Sequence, residues 1–338
     1  MNVNFTSFFS NLKDKFTMPN ALKRKSTSLF SSARTILILS LLGVGINMNT
    51  HAQDRQQQQL KAPPSLRSVE QILSRAHVCS DTLSLRSEAL SDAQEQSVCQ
   101  QLGQLEKNFH QLFAGDGKTL VPVKHDNNQS LRANIYRNKN SFAEHAGMHF
   151  DMPVNNGGMY LEGTPERAGN HAEFVAYQRE QGVVHNLGHE YVHYLDGRFN
   201  LYGDFCANLH DSHAAPENCP KPAPQTPYLV WWSEGLAEYI AHGNAHVAAL
   251  KLATKKSYRL SELFDTGYEK NNDSTRIYSW GYLAVRFMFE RHRNEVDRML
   301  SFTRVGDYPR YQALVKSWGT SFDAEFAVWL EEIGYQKN

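Results

Sequence analysis

The distribution of apolar and polar positions divides this chain into a mixed front and a helical back. Between residues 67 and 113, apolar side chains recur at helical spacing (Ile72, Leu73, Leu83, Leu90, Leu102, Leu105, Leu112) and predict a helical segment. Gly115-Asp116-Gly117 breaks it. Residues 131–136 (LRANIY) alternate apolar with polar, as a half-buried strand does. Ser141 is placed to cap a helix running through Phe142 and Ala146. Gly157-Gly158-Met159-Tyr160-Leu161 and residues 171–177 (HAEFVAY) read as two further strands. A helix is expected from about residue 179 to 195, closed by Gly197. From Tyr228 the pattern is helical over 230–243, 245–254, 260–265, 276–291, 293–302, 307–317 and 321–333. Strands and helices followed by helices alone place the chain in the α+β class, and no internal repeat is present.

One apolar run changes the picture at the front. Residues 35–46 (TILILSLLGVGI) follow Lys23-Arg24-Lys25 and Arg34, and precede Thr50-His51-Ala52. This is the layout of a cleaved signal peptide over 1–52, with Met18 as an alternative start that shortens it. The run is too short for the roughly 20 residues a bilayer span needs, so no stable membrane anchor is expected. A secreted or periplasmic location follows. Residues 53–66 (QDRQQQQLKAPPSL) have the composition of a disordered linker or pro-segment. The formal charge is zero, but residues 1–52 carry six basic residues and one acidic residue. The remainder is therefore mildly acidic, which argues against a nucleic-acid partner. All four cysteines lie in the exported part, where disulfides form. Pairing of neighbours, Cys79 with Cys99 and Cys206 with Cys219, closes the shortest loops.

The chemistry concentrates at His189-Glu190-Tyr191-Val192-His193. Helical residues four apart share a face, so His189 and His193 can point at one metal ion, with Glu190 beside it to take a proton from water. A catalytic zinc site uses three protein ligands and keeps one position open. The third ligand is sought in Trp231-Trp232-Ser233-Glu234-Gly235-Leu236-Ala237-Glu238-Tyr239, an expected buried helix. There Glu234 and Glu238 share a face. We assign Glu234 as ligand and Glu238 as acceptor for a ligand imidazole N–H, although spacing alone leaves the reverse open. His185, and the pair His145 and His149, lack a central carboxylate and read as structural or pocket-wall residues. His210 and His213 read as loop surface.

Two stretches resemble the catalytic core of bacterial collagenases, which are gluzincin zinc metallopeptidases: GHEYVHYLDGRFNLYGDF (188–205) and WWSEGLAEYI (231–240). NNGGMYLEG (155–163) and GYEKNNDSTRIYSWGY (267–282) extend the likeness over about 130–335, with a fainter one at 65–115. The resemblance implies a zincin, thermolysin-like peptidase domain over 119–338. It would comprise a catalytic subdomain (119–243, small mixed sheet plus active-site helix) and a mainly helical helper subdomain (244–338). Residues 67–118 would be a helical remnant of the family's activator region, most of which is missing, as are the accessory domains. It implies Zn2+ on His189, His193 and Glu234, Glu190 as general base, and Tyr268 stabilising the oxyanion. Gly157 and Gly158 would border a substrate-pairing edge strand, and Glu162 would bind Ca2+. The interval between His193 and Glu234 is longer than is usual in the family. The expected activity is endopeptidase action on collagen, gelatin or collagen-like peptides. A non-catalytic peptide- or matrix-binding protein and a zinc hydrolase of a non-peptide bond are the alternatives.

Overall fold

The computed structural model describes residues 67–114, 119–155, 157–203, 229–268 and 273–335. Residues 1–66 and 204–228 lie outside them, and with them the signal peptide, the linker, Cys206 and Cys219, and His210 and His213.

Five strands form one mixed sheet in the order β1-β2-β3-β5-β4: β1 (Arg75–Val78), β2 (Leu83–Ser87), β3 (Leu131–Tyr136), β4 (Met159–Leu161) and β5 (Ala172–Tyr177). The three central strands run parallel, and β1 and β4 are antiparallel edges. Period-two alternation sorts the side chains. Leu131, Ala133 and Ile135 of β3, with Ala172, Phe174 and Ala176 of β5, face the larger core. Tyr136, Val175 and Tyr177 face a smaller one with Phe142 and Ala146 of α3 (Lys139–Phe150).

The helical segment expected over 67–118 is corrected by this sheet. Only α1 (Val69–Ile72) and α2 (Asp92–Ala114) are helical, and residues 75–87 supply β1 and β2. Leu83 and Leu85 are buried while Ser84 and Arg86 are not, so the operative period is two; Leu83 and Leu90 only mimic helical spacing. A Cys79–Cys99 disulfide, Cα atoms 5.2 Å apart, ties the end of β1 to α2. Helix α2 buries Val98, Leu102, Phe109 and Phe113 along one stripe and packs on α4 (Leu187–Asn200) and α5 (Val230–His242).

Helix α4 begins eight residues later than expected. The backbone folds back through a Gln178–Val184 bridge, and Asn186 takes a left-handed φ of 53°, so the helix starts only at Leu187. The cap of α3 is Asn138, not Ser141: the Asn138 side chain accepts the Ser141 N–H at 2.9 Å, and the Ser141 hydroxyl donates to Glu88.

The back is helical, as the periodicity predicts: α6 (Val247–Ala253), α7 (Leu260–Leu263), α8 (Gly281–Arg291), α9 (Arg293–Thr303), α10 (Tyr308–Trp318) and α11 (Asp323–Tyr335). A π-helical stretch over Thr275–Trp280 leads into α8. Helices α5 and α8 meet at backbone distance, because Gly235 lies against the main chain of Gly281 and no Cβ would fit between them. The architecture is α+β with a small mixed sheet. Among the described residues no helix is long and apolar enough to cross a membrane.

Candidate active site

Helix α4 is buried on nearly every side, between the sheet, α2 and α5. Its His189 and His193 lie one turn apart with their Nε2 atoms 3.0 Å from each other. Helix α5 brings Glu234 against them: Oε2 is 3.1 Å from His189 Nε2 and 3.5 Å from His193 Nε2. All three side chains are buried, and their donor atoms lie within 4.8 Å of one another.

This donor set fits a divalent transition metal. Glu238 Oε1 sits 2.8 Å from His189 Nδ1, so that nitrogen carries the proton and donates. His189 Nε2 then faces the Glu234 carboxylate, a contact that calls for positive charge, which either a metal ion or a proton on Nε2 supplies. Two imidazoles and a carboxylate suit zinc, whose bonds of about 2.0–2.1 Å put tetrahedral ligands about 3.4 Å apart. The demand for positive charge is visible in the imidazole itself. Burial pushes the His189 pKa down, but hydrogen bonds and charge from Glu234 and Glu238 outweigh it and hold it well above the ordinary range. Burial likewise disfavours the Glu238 carboxylate, and its contacts to His189, His242 and His246 overcome this and keep it ionised.

Glu190 points to the other side of the pair. Its carboxylate accepts the backbone N–H of Tyr160 in β4, and burial raises its pKa against the pull of His189 and His193. Gly158 makes this approach possible: a Cβ there would stand 3.1 Å from Glu190 Oε1 and 3.3 Å from the Val175 carbonyl. Gly157 adopts φ +86°, and a Cβ on it would meet His185 Nε2 at 2.6 Å. Glu190, His189 and His193 open into a cavity of about 240 Å³ shared with Gly158, Met159, Tyr268 and Tyr278. A larger cavity of about 510 Å³ lies on the Glu238 side of His189, walled in part by His185 and Arg179. The smaller one is the candidate catalytic cavity, because Glu190 and both imidazoles line it.

Tyr268 donates to Glu234 Oε1, so its hydroxyl holds that carboxylate. Burial first, and then the neighbouring Glu234, push the Tyr268 pKa well up. Tyr278 escaped the sequence reading. It sits in the π-helical stretch with its ring 5.7 Å from that of His189, and the charge of Glu234 raises its pKa. A second tyrosine in GYEKNNDSTRIYSWGY was the available signal. Asp196, three residues after His193, was also missed. It is buried, accepts from Asn200 at 2.8 Å, and burial raises its pKa to about 7.

The other expected residues fall elsewhere. His185 packs on Tyr177 and Gly157, away from the three-donor cluster. His149 contacts the Tyr136 hydroxyl at 2.7 Å and the Arg67 carbonyl at 2.9 Å, and His145 stacks on it. Glu162 is buried with its carboxylate against Gly197, and its backbone carbonyl accepts from Asn128 and Asn170. Among the described residues no cluster of three His, Cys, Asp or Glu donors includes it.

An HExxH helix, a buried carboxylate closing the donor set and a second carboxylate beside the cavity define a candidate metal-dependent hydrolytic centre. Over residues 45–329 the chain matches the collagenase family of peptidases, and it belongs to that family. It is 41% identical over 268 residues to a microbial collagenase of Vibrio alginolyticus, covering 78% of this chain and 30% of that protein. A microbial collagenase of Vibrio vulnificus (strain CMCP6) is 38% identical over 263 residues, 77% of this chain and 30% of its own. Collagenase ColT of Clostridium tetani is 24% identical over 242 residues, 67% of this chain and 22% of its own. The chain thus spans about 30% of the length of the Vibrio relatives it matches.

Proposed function

We propose that this chain is an exported zinc endopeptidase that cuts peptide bonds in collagen-like or gelatin-like substrates. The observation that carries the reading is the convergence of His189, His193 and Glu234 within 4.8 Å, beside a cavity that Glu190 enters. Zinc, when bound, lowers the pKa of a coordinated water towards about 7 and polarises the scissile carbonyl. His189, His193 and Glu234 hold it, and Glu238 keeps His189 in the tautomer that presents Nε2. Glu190 takes the proton of the attacking water and passes it to the leaving amine, and its raised pKa suits both steps. Tyr278 donates a hydrogen bond to the developing oxyanion. The resemblance favours Tyr268 for that role, but the Tyr268 hydroxyl is engaged on Glu234. Substrate backbone lies along edge strand β4 and makes main-chain hydrogen bonds there, with Gly157 and Gly158 leaving room at its start. The collagen-like preference rests on the similarity to proteins named collagenases.

The test is cleavage of gelatin and of a collagen-like peptide with and without a chelator, with cut sites mapped by mass spectrometry. Expected are chelator-sensitive cuts clustered before Gly, abolished in Glu190→Gln while the metal remains bound. A metal-replete wild type that cuts no peptide would overturn the reading in favour of a binding protein. Cuts scattered without regard to Gly would remove the collagen preference alone.

A further inference from the structure

Helix α5 does not stop at Glu234 and Glu238. One turn beyond Glu238 it ends at His242, and the chain returns His246 to the same point at the start of α6. Glu238 Oε2 is 2.9 Å from His246 Nε2 and 3.4 Å from His242 Nε2, and the two rings lie 4.4 Å apart. We propose that Glu238, His242 and His246 form a second site for a divalent transition-metal ion, and that an ion bound there inhibits the enzyme through Glu238.

Four observations support the site. Its three donor atoms lie within 4.8 Å of one another, as those of His189, His193 and Glu234 do, and the two sets have the same composition. The 3.4 Å from Glu238 Oε2 to His242 Nε2 matches the roughly 3.4 Å between tetrahedral ligands of a zinc-sized ion, and the 2.9 Å to His246 Nε2 is somewhat short of it. Access is open: the His242 side chain is half exposed, and Glu238 and His242 line the 510 Å³ cavity, which has room for water ligands. His242 also closes the C-terminal end of α5, where the helix dipole favours a cation. Imidazole donors select Zn2+, Co2+, Ni2+ or Cu2+ over Ca2+ and Mg2+. One contact opposes binding. His246 Nδ1 accepts the Ala249 N–H at 3.4 Å, and an ion on Nε2 moves the ring proton to Nδ1 and ends that contact. At that length the lost hydrogen bond is a weak one.

The coupling follows from the two oxygens of one carboxylate. Oε1 accepts from His189 Nδ1, while Oε2 faces the second site. An ion on Oε2 draws charge from the carboxylate and weakens its hold on His189, so excess metal depresses activity. This clause rests on His189 serving as a ligand of the catalytic ion.

The experiment titrates the full chain with Zn2+ and, separately, Co2+. It reads bound metal per chain after removal of free ion, the Co2+ visible spectrum, and peptide cleavage normalised to each variant's own activity at one equivalent. Wild type is expected to take two ions, and His242→Ala and His246→Ala one each. In these variants the midpoint of inhibition by excess Zn2+ rises at least tenfold. His242→Ala, at a half-exposed position, decides the matter if His246→Ala does not fold. A His242→Ala variant that still binds two ions, or an unchanged inhibition midpoint, overturns the proposal. A wild type that binds one ion, lost in His193→Ala and kept in His242→Ala, overturns this site and preserves the catalytic one. One ion lost in His242→Ala and kept in His193→Ala supports this site and removes the catalytic reading.

Discussion

The carboxylate of Glu190 occupies the space into which a side chain on Gly158 would grow, with only 3.1 Å between Oε1 and the position of that Cβ. The Val175 carbonyl cannot retreat easily, since it belongs to β5, so the Glu190 side chain is the neighbour that must give. Gly158→Ala is therefore expected to displace Glu190. Because small misplacements of catalytic groups are costly, kcat should fall by about ten- to a hundredfold. Thermal unfolding should change little, and steady-state kinetics on a gelatin-derived peptide beside a melting curve measures both.

Gly157→Ala should act on stability instead. Its φ of +86° is strained for any residue with a Cβ, at a cost of about 1 kcal/mol or more. The clash with His185 is a separate and softer cost, since an imidazole can swing away. Adding His185→Ala should relieve the clash and leave the backbone cost, so the double variant stays below His185→Ala in denaturant unfolding.

Neutralising the acceptor of His189 tests the charge on its hydrogen bond to Glu238. Glu238→Gln should lower metal affinity or activity by about 10- to 100-fold. Competition with a chelating dye measures the affinity directly.

These consequences were unevenly legible in the sequence. The four-residue spacing of His189 and His193, and of Glu234 and Glu238, places pairs on one helix face whatever surrounds them. The structure brings both pairs together as that spacing implies. The strand pair at 75–87 was hidden because Leu83 and Leu90 also fit a helical period, and only pairing with β3 selects the strand. The late start of α4 follows a tight reversal closed by the Gln178–Val184 bridge and a left-handed Asn186, which the apolar periodicity does not register. Tyr278 was missed because its position depends on a π-helical stretch that shifts the register by a residue.

His185 supplies a pH dependence. Burial, then the charges of Arg179, Lys139 and His189, lower its pKa from 6.5 to about 4. The unfolded chain takes up a proton near 6.5 while the folded chain does not, so stability falls as the pH drops from 6.5 towards 4. Below about 4 both states are protonated and the loss is complete. His185→Gln should flatten this limb relative to wild type in melting curves at matched metal loading.

The Cys79–Cys99 bridge closes a loop with a sequence separation of 20. Its loss through a Cys79→Ala, Cys99→Ala double variant should cost about 3 kcal/mol. Strand β1 is the sheet edge opposite β4, so kcat/KM at temperatures below melting should be unchanged.

The position of β2 beside β3 bears on how this protein can be cut down for study. A fragment beginning at residue 119 would discard β1 and β2 and leave one side of β3 open along the five residues that pair with β2, four of them buried in the whole fold. Such a strand pairs readily with other copies of itself. Strand β2 is thus expected to shield β3 from self-association, and insolubility of that fragment would be a property of the exposed edge rather than of the catalytic centre.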